Sequence, residues 1–276
     1  MGSSGLAQPA TQSPATGARN APPSISPALL RYFLGYARFY VGRHMHAVRV
    51  SQGEKLRQLY GKPLLLYMNH PSWWDPMIAA VLAGCYLPGY LHYAPMEAVA
   101  LQKYPFFRKL GFFGVTHNSF QSQRKLLEIS TRVLSQSHSA MWITPQGRFS
   151  DVRERPLRIE SGFIHLVRHA PQCVVLPVAI EYAFWEESKP EVLVRFGDPV
   201  SANELQHQPK AQQTLEFNLE QALDALQQAV IARDVSAFQI LLRGNSGVGG
   251  VYDLWRRGKA LLTGTTFNPE HGAGRL

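Results

Sequence analysis

The sequence predicts an α/β fold with a mixed, mostly parallel sheet flanked by helices. Apolar runs of strand length alternate along the chain with longer segments of helical period, and this alternation is typical of a sheet with helices on its faces. The chain has 276 residues, of which 45% are hydrophobic and 17% are charged. Such a length and composition indicate a globular protein with a sizeable core.

Each predicted strand is a short apolar run, and most of the predicted helices separate two such runs. Strands are expected at Leu64–Met68, Tyr90–Ala94, Phe112–Thr116, Ala140–Thr144, Val174–Ile180 and Glu191–Phe196. Helices are expected at Pro76–Ala83, Glu97–Leu110 with a break at Pro105, Gln121–Ser135, Glu160–His169, Asn203–Asp234 and Tyr252–Leu262. The sheet is therefore predicted to consist largely of strands joined by helical crossovers.

The N-terminal region divides into a tail and a helix. Residues 1–26 are rich in Ser, Ala, Pro and Gly and lack the pattern of a secretory signal, so a disordered tail is expected. Residues 27–50 have helical period, with aromatic side chains interleaved with arginines. Such a helix can lie in a lipid interface, and it can equally pack on the core. The domain, including this helix, is predicted to span residues 27–240, with a Gly-rich and basic extension over residues 241–276.

The charge of the chain favours anionic partners. The formal net charge is +9 and the pI is about 9.7, which suits nucleic acid, anionic lipid headgroups or substrates that carry phosphate. The sequence has no zinc-finger spacing, no basic helix leading into heptads and no RNP-type aromatic strand. Lipid and nucleotide phosphates are therefore favoured, and no nucleic-acid partner is expected.

Two further features bear on location. Cys85 and Cys173 are too few for a disulfide framework or a zinc site, so a reducing, cytoplasmic setting is expected. The longest stretch without a formal charge, residues 76–96, approaches the length of a membrane span. Its period changes midway, which favours a helix followed by a strand. A cytoplasmic protein that binds the membrane peripherally is therefore expected.

Residues 69–76, Asn-His-Pro-Ser-Trp-Trp-Asp-Pro, carry the clearest chemical signal. They join a predicted strand to a predicted helix, and ligand sites in open α/β sheets gather at the carboxyl ends of strands. Asp75 and Pro76 are typical of an N-cap and a first helical residue, and the short loop can fold His70 back toward Asp75. A carboxylate on one imidazole nitrogen leaves the other free to accept a proton from a hydroxyl. The alternative is that Asp75 is only a cap and His70 only a loop residue.

Four sequence blocks resemble those of the PlsC-like glycerophospholipid (lysophospholipid) acyltransferase family, in the same order. They are the His-x4-Asp block at residues 69–76, Gly111–His117, Ile143–Ser150 and Val174–Val178. One block would be a weak signal, whereas four in order over residues 63–200 are specific. The resemblance implies a glycerolipid acyltransferase-like fold and an acyltransferase activity, with His70 as the general base and Asp75 as the group that orients it.

The second and third blocks depart from the family pattern. The family's arginine at the end of the second block is His117 here, and the usual Glu, Thr and Arg of the third block are Gln146, Arg148 and Phe149. These blocks are associated in the family with the acceptor, often with its glycerol phosphate. Either the acceptor is a neutral or glycosylated lipid alcohol, or nearby arginines, which could also form a solvated loop face, replace the lost charge. Those arginines are Arg148, Arg153, Arg155 and Arg158.

The resemblance implies direct transfer of a fatty acyl chain to a hydroxyl of a lipid acceptor at a membrane surface. The donor would be acyl-CoA or an acyl carrier protein, with no metal and no other cofactor. No Gly-x-Ser-x-Gly elbow supplies a nucleophile, so His70 would deprotonate the acceptor itself. Besides His70 and Asp75, the residues expected to bind substrate are Asn69, Ser72, Trp73, Trp74, Gly114, His117, Pro145, Gln146, Gly147, Arg148 and Arg153.

An acyl chain requires an apolar trench, and several aromatic side chains are candidates to line it, although each of them could instead be an ordinary core residue. These candidates are Trp73, Trp74, Phe106, Phe107, Phe112 and Phe113. Two other functions stay open. One is a non-catalytic lipid-binding protein on the same fold, and the other is a hydrolase that transfers the acyl group to water.

Overall fold

The structure, a computed structural model, describes residues 21–116 and 119–245. Within these residues nine strands form one sheet: β1 Ala47–Ser51, β2 Leu64–Met68, β3 Leu91–Glu97, β4 Phe112–Val115, β5 Ser139–Ile143, β6 Val174–Ala183, β7 Glu191–Phe196, β8 Val200–Ser201 and β9 Gln239–Arg243. The helices are α1 Pro27–His44, α2 Gly53–Gln58, α3 Asp75–Tyr86, α4 Ala98–Lys103, α5 Phe120–Leu134, α6 Ser161–His169, α7 Ala202–Gln206 and α8 Ala211–Ile231. Short 3-10 turns lie at Pro105–Leu110 and Val235–Ala237. The predicted α/β class is confirmed.

The strand order is β4-β3-β5-β2-β6-β7-β1-β9, and β8 pairs with β6 beside this path. The strands from β4 to β6 run parallel, so their carboxyl ends meet at one edge of the sheet. β7 runs antiparallel to β6, and β9 runs antiparallel to β1. Because β2 is central, the loop that follows Met68 opens at the edge where ligands bind in parallel sheets.

Two apolar cores lie on opposite faces of the sheet. Helices α1, α2 and α3 cover one face, and α5, α6, α7 and α8 cover the other. Strand β2 contributes side chains to both cores. Leu66 and Met68 point to the first face, and Leu65 and Tyr67 point to the second. A central parallel strand covered on both sides has to be apolar at every position, which explains why the sequence predicts β2 so clearly.

Helix α1 is shorter than predicted. The side chain of Ser26 accepts a hydrogen bond from the backbone N–H of Leu29, and Pro27 occupies the first turn, so both residues set the start of the helix. The helix ends at His44, and the prediction that it continues to Val50 was wrong. Residues 47–51 form β1 because alternate β-branched side chains there pair with β7 and are buried.

The C-terminal part of the domain differs from the prediction in two respects. The helix expected from Asn203 to Asp234 is divided into α7 and α8, because Pro209 lies between them and cannot continue a helical hydrogen-bond ladder. Strand β9, which the sequence did not predict, pairs with β1. The sheet therefore extends to Arg243, past the expected domain boundary at residue 240.

The uncharged stretch over residues 76–96 divides into α3 and β3, as expected. Among residues 21–116 and 119–245, no helix is both long enough and apolar enough to cross a bilayer. Helix α2 was not predicted. The expected tail lies mostly outside the described residues, and the expected basic helix at Tyr252–Leu262 lies wholly outside them.

Candidate active site

The loop between β2 and α3 brings His70 and Asp75 into contact. His70 Nδ1 lies 2.6 Å from Asp75 Oδ2, and the backbone N–H of Ser72 donates to the same oxygen at 3.1 Å. Asp75 Oδ1 accepts a hydrogen bond from the Tyr182 hydroxyl at 2.7 Å. The Asp75 side chain is 1% exposed and the His70 side chain 19%. With Nδ1 at the carboxylate, Nε2 is the nitrogen available to a substrate.

Helix α3 begins at Asp75 itself, with Trp74 at the N-cap position. The prediction that Asp75 is the N-cap was therefore wrong by one residue. Its carboxylate turns toward His70, while its backbone N–H donates to the carbonyl of Ser72 at 3.2 Å. Asp75 therefore lies in the first turn of α3, at the end of the helix where acidic side chains are commonly found.

Two side-chain amides hold the backbone around His70. The amide of Asn69 is buried and forms two 2.9 Å hydrogen bonds with the backbone N–H and C=O of Ile180 in β6. Gln146 Oε1 accepts from the backbone N–H of His70 at 3.2 Å, and the carbonyl of His70 accepts from the N–H of Ser150 at 3.0 Å. Asn69 and Gln146 were expected to bind substrate, but in the structure they contact the protein backbone.

A cavity of about 450 Å³ opens beside His70 and lies between α1, α3 and the first face of the sheet. Most of its lining is apolar, with Leu30 and Phe33 from α1 and Ala79, Ala80 and Ala83 from α3. The alanines leave space along α3, and eight residues of helix from Asp75 to Ala83 span about 12 Å. An apolar cavity that ends in a few polar groups is the usual form of a small-molecule site.

The predicted aromatic trench is only partly present. Phe112 lines the cavity, whereas its neighbour Phe113 points to the opposite face of β4 and is buried in the second core. Phe107 packs on the rings of Phe33 and Phe112, with centroid distances of 6.4 and 5.2 Å. Phe106 is half exposed and stacks on Phe107. Within the described residues, Phe106, Phe107 and Phe113 support the fold around the cavity and do not line it.

The tryptophans of the loop have different environments. Trp74 stacks on Tyr40 of α1 at a centroid distance of 5.5 Å, and its backbone N–H donates to the Ser72 hydroxyl at 3.2 Å. Trp73 is 68% exposed. Ser72 and Trp74 thus shape the loop and join it to α1, and Trp73 is the member of the pair with a ring available to a partner. Neither tryptophan lines the cavity formed by the described residues.

The third block contributes the wall of the cavity beside His70. The ring of Phe149 lies 4.2 Å from the His70 ring, centroid to centroid, with 31° between their planes. Gly147, Arg148 and Phe149 all line the cavity. Gly147 has φ +67°, a left-handed conformation that favours glycine and turns the chain at the cavity opening. Pro145 is buried and its carbonyl accepts from Glu160, so it is part of the scaffold.

Three of the four arginines near the third block are paired with carboxylates. The pairs are Arg148 with Glu154, Arg153 with Asp151 and Arg155 with Asp224. Arg148 lines the cavity, whereas the side chain of Arg153 is 82% exposed and lies outside the lining. Arg158 is exposed. The structure therefore brings one of the four arginines, Arg148, to the cavity.

The second block is described in part. Gly114 lies in β4, where a Cβ would approach the Cα of Ala98 to 3.3 Å, so its small size allows α4 to pack on this strand. It does not line the cavity in the described part of the chain. His117, expected at the position of the family's arginine, lies outside the described residues.

A second histidine lines the cavity. His92 Nδ1 accepts a hydrogen bond from Trp142 Nε1–H at 3.3 Å. Burial disfavours the charged imidazolium and lowers the pKa of His92 to about 4. His92 is therefore neutral at pH 7.

The sequence did not predict the contact between Tyr182 and Asp75. Burial, followed by the charge of Asp75 and the hydrogen bond to it, raises the pKa of Tyr182, so its hydroxyl stays a donor. The register of the sheet explains why Tyr182 reaches Asp75. Met68 pairs with Val178, and β6 continues past the end of β2 toward the loop that holds Asp75. Tyr182 points to the same face of β6 as Val178 and Ile180. Its contact with Asp75 could be predicted only by knowing that β2 and β6 are neighbours.

Comparison with known proteins agrees with this geometry. Residues 47–181 match the family model described as Acyltransferase, and this range contains all four sequence blocks. Among solved structures, the chain is similar to the 1-acyl-sn-glycerophosphate (LPA) acyltransferase PlsC from Thermotoga maritima, with a TM-score of 0.54 and 12% identity over 72% of this chain and 80% of that chain. Comparison with curated protein sequences finds no match. Residues 47–181 thus form an acyltransferase domain, the protein is an acyltransferase enzyme, and its fold is that of PlsC.

Proposed function

We propose that the protein transfers a fatty acyl chain from a thioester to the hydroxyl of a lipid alcohol, with His70 as the general base. The donor is acyl-CoA or an acyl carrier protein. The observation that supports this most strongly is the 2.6 Å contact between His70 Nδ1 and a buried Asp75, at the polar end of an apolar cavity. The similar structure carries the name of an enzyme that acylates an acyl-glycerophosphate, a lipid with a free hydroxyl.

In the proposed reaction, Asp75 accepts a hydrogen bond from Nδ1–H of His70 and keeps Nε2 unprotonated. The acceptor hydroxyl gives its proton to Nε2 as its oxygen attacks the thioester carbonyl carbon. A C–O bond forms, and the tetrahedral oxyanion then collapses with cleavage of the C–S bond. His70 returns the proton to the leaving thiolate, so the products are an ester and a free thiol.

The cavity is suited to the acyl chain. Its polar end holds His70 and Asp75, and its walls along α3 are alanines that a chain of methylenes can contact without leaving polar groups unpaired. Burial of each methylene contributes about 0.8 kcal/mol. We therefore place the acyl chain between α1 and α3, with its carbonyl carbon beside His70 Nε2.

Peripheral binding to a membrane surface is the proposed location, and α1 supports it. One stripe of α1 packs on the core, through Leu30, Ala37 and Val41. On its outer side Tyr32 is 73% exposed and Phe39 66% exposed, and Arg31, Arg38 and Arg43 of the same helix are exposed. An aromatic face flanked by arginines is typical of helices that lie in a lipid interface. Because α1 also lines the cavity, lipid would enter directly from the bilayer.

Thiol release from acyl-CoA tests the proposal and separates it from its rivals. Release that requires an added lipid alcohol is expected of a transferase, whereas release into water alone would indicate a hydrolase. A protein that binds lipid without releasing thiol with any acceptor would have a non-catalytic role. His70→Ala is expected to abolish release while membrane binding is retained, and His169→Ala, at a histidine of α6 on the opposite face of the sheet, is the matched control.

A further inference from the structure

We propose that the acceptor is a neutral lipid alcohol, free or glycosylated, which carries no phosphate. This inference rests on the proposed transfer with His70 as base, and it names the class of lipid that the same site accepts. It follows from the side chain that replaces an arginine at the cavity opening and from the charges that line the cavity.

Phe149 occupies the position where the family pattern has an arginine. Its ring lies against the imidazole of His70 at 4.2 Å and is 58% exposed. The group next to the reacting hydroxyl therefore meets an apolar ring in place of a guanidinium. A phosphate placed there would lose water without gaining a hydrogen-bond donor from this residue, and such desolvation is costly.

The formal charges in the lining also disfavour an anion. The lining contains the carboxylates of Asp75 and Glu97 and the guanidinium of Arg148, so with neutral histidines its formal charge is −1. Arg148 is itself in contact with the carboxylate of Glu154. A phosphate monoester carries a charge of about −1.5 to −2 at neutral pH, and it would enter a cavity of the same sign.

The neighbouring arginines Arg153, Arg155 and Arg158 do not line the cavity, and the first two are already paired with carboxylates. Arg153 donates to Asp151 through Nε and Nη2 at 2.8 and 2.7 Å, and Arg155 Nη2 lies 2.5 Å from Asp224. Phosphate sites in proteins commonly use an arginine as a bidentate donor, whereas these guanidinium groups already serve carboxylates outside the cavity. A neutral acceptor needs one hydrogen bond from its hydroxyl to His70 and apolar contact with Phe149, and the structure provides both groups.

The first test identifies the natural product. The full-length protein is incubated with labelled palmitoyl-CoA and a total lipid extract of its source cells, and the labelled lipid is analysed by mass spectrometry. A labelled product without phosphorus is the expected result, and a labelled phospholipid would overturn the inference while leaving acyl transfer intact. No labelled lipid at all would count against the proposed function itself, and the inference would fail with it.

The second test adds the missing charge. Phe149→Arg is compared with Phe217→Arg, a control on α8 at the opposite face of the sheet, where the phenylalanine is equally exposed at 57%. The acceptors are 1-oleoylglycerol and 1-oleoylglycerol 3-phosphate. An arginine at this position can donate a charge-assisted hydrogen bond to the phosphate, so Phe149→Arg should raise the phosphate-to-neutral ratio of kcat/KM by about tenfold or more. A wild-type protein that prefers the phosphate, or a ratio that both variants leave unchanged, would contradict the inference.

Discussion

Tyr182 donates a hydrogen bond to Asp75 Oδ1 at 2.7 Å, on the side of the carboxylate away from His70. The contact joins β6 to the first turn of α3, two elements that are distant in sequence. Since burial and the nearby carboxylate raise the pKa of Tyr182, the hydroxyl remains protonated and keeps donating at neutral pH. Tyr182 is therefore a positioning residue for the carboxylate that holds His70.

Removal of this hydroxyl should lower turnover. Tyr182→Phe leaves one carboxylate oxygen of a buried side chain without its donor, and a hydrogen bond to a charged group contributes about 1.5–3 kcal/mol. We expect kcat to fall about 10- to 100-fold with little change in KM, measured by steady-state thiol release. Tyr67→Phe is the control, because its buried hydroxyl donates to the carbonyl of Leu215 and not to Asp75. Equal loss of kcat in both variants would mean that Tyr182 acts only through stability.

The fold could be predicted largely from local pattern, but the site could be predicted only in part. Strand β2 is apolar at every position, and the adjacent His-x4-Asp spacing lies within one loop, so both are visible in the sequence. The contact from Tyr182 depends on which strands are neighbours, and no local period contains that information. The amides of Asn69 and Gln146 look like substrate ligands in sequence, and they turn out to bond to the backbone because buried N–H and C=O groups there need partners.

The length of the acyl chain should depend on the alanines of α3. Ala83 lines the cavity about 12 Å along the helix from Asp75, so a larger side chain there would fill the space that the end of a long chain occupies. Ala83→Phe is expected to shift the preference toward shorter acyl-CoA donors, measured as kcat/KM over a series from C8 to C18. Ala225→Phe, at an exposed position of α8, is the control. An unchanged preference for acyl-chain length would mean that the acyl chain does not occupy this cavity.

Membrane binding should depend on the outer face of α1. Tyr32, Tyr36 and Phe39 recur at helical spacing on one side of α1 and are all exposed. Burial of each of these side chains in lipid would contribute about 1.5–3 kcal/mol to the free energy of binding. We therefore expect replacement of all three by serine to lower the affinity for vesicles about tenfold or more. Co-sedimentation with anionic vesicles measures it, and Phe217→Ser is the control. Wild-type binding in the triple variant would place the membrane contact elsewhere.

The stability of the fold should fall in mild acid because of His92. The pKa of His92 is about 4 in the folded protein, whereas an exposed histidine has a pKa near 6.5. Between these values the unfolded chain binds more protons than the folded protein, so the free energy of unfolding decreases as the pH falls from about 6.5 to 4 and levels off below that. The contribution amounts to about 2 kcal/mol between pH 7 and pH 4.5.

Urea unfolding at those two pH values measures this contribution in wild type and in His92→Gln. Glutamine keeps an acceptor for the Trp142 N–H but does not titrate. Protonation of carboxylates affects both proteins alike, so the difference between their pH dependences isolates His92. We expect His92→Gln to lose about 2 kcal/mol less than wild type on acidification, and His169→Gln, at an exposed histidine, to behave like wild type. Identical losses in all three proteins would show that His92 is protonated freely in the folded state.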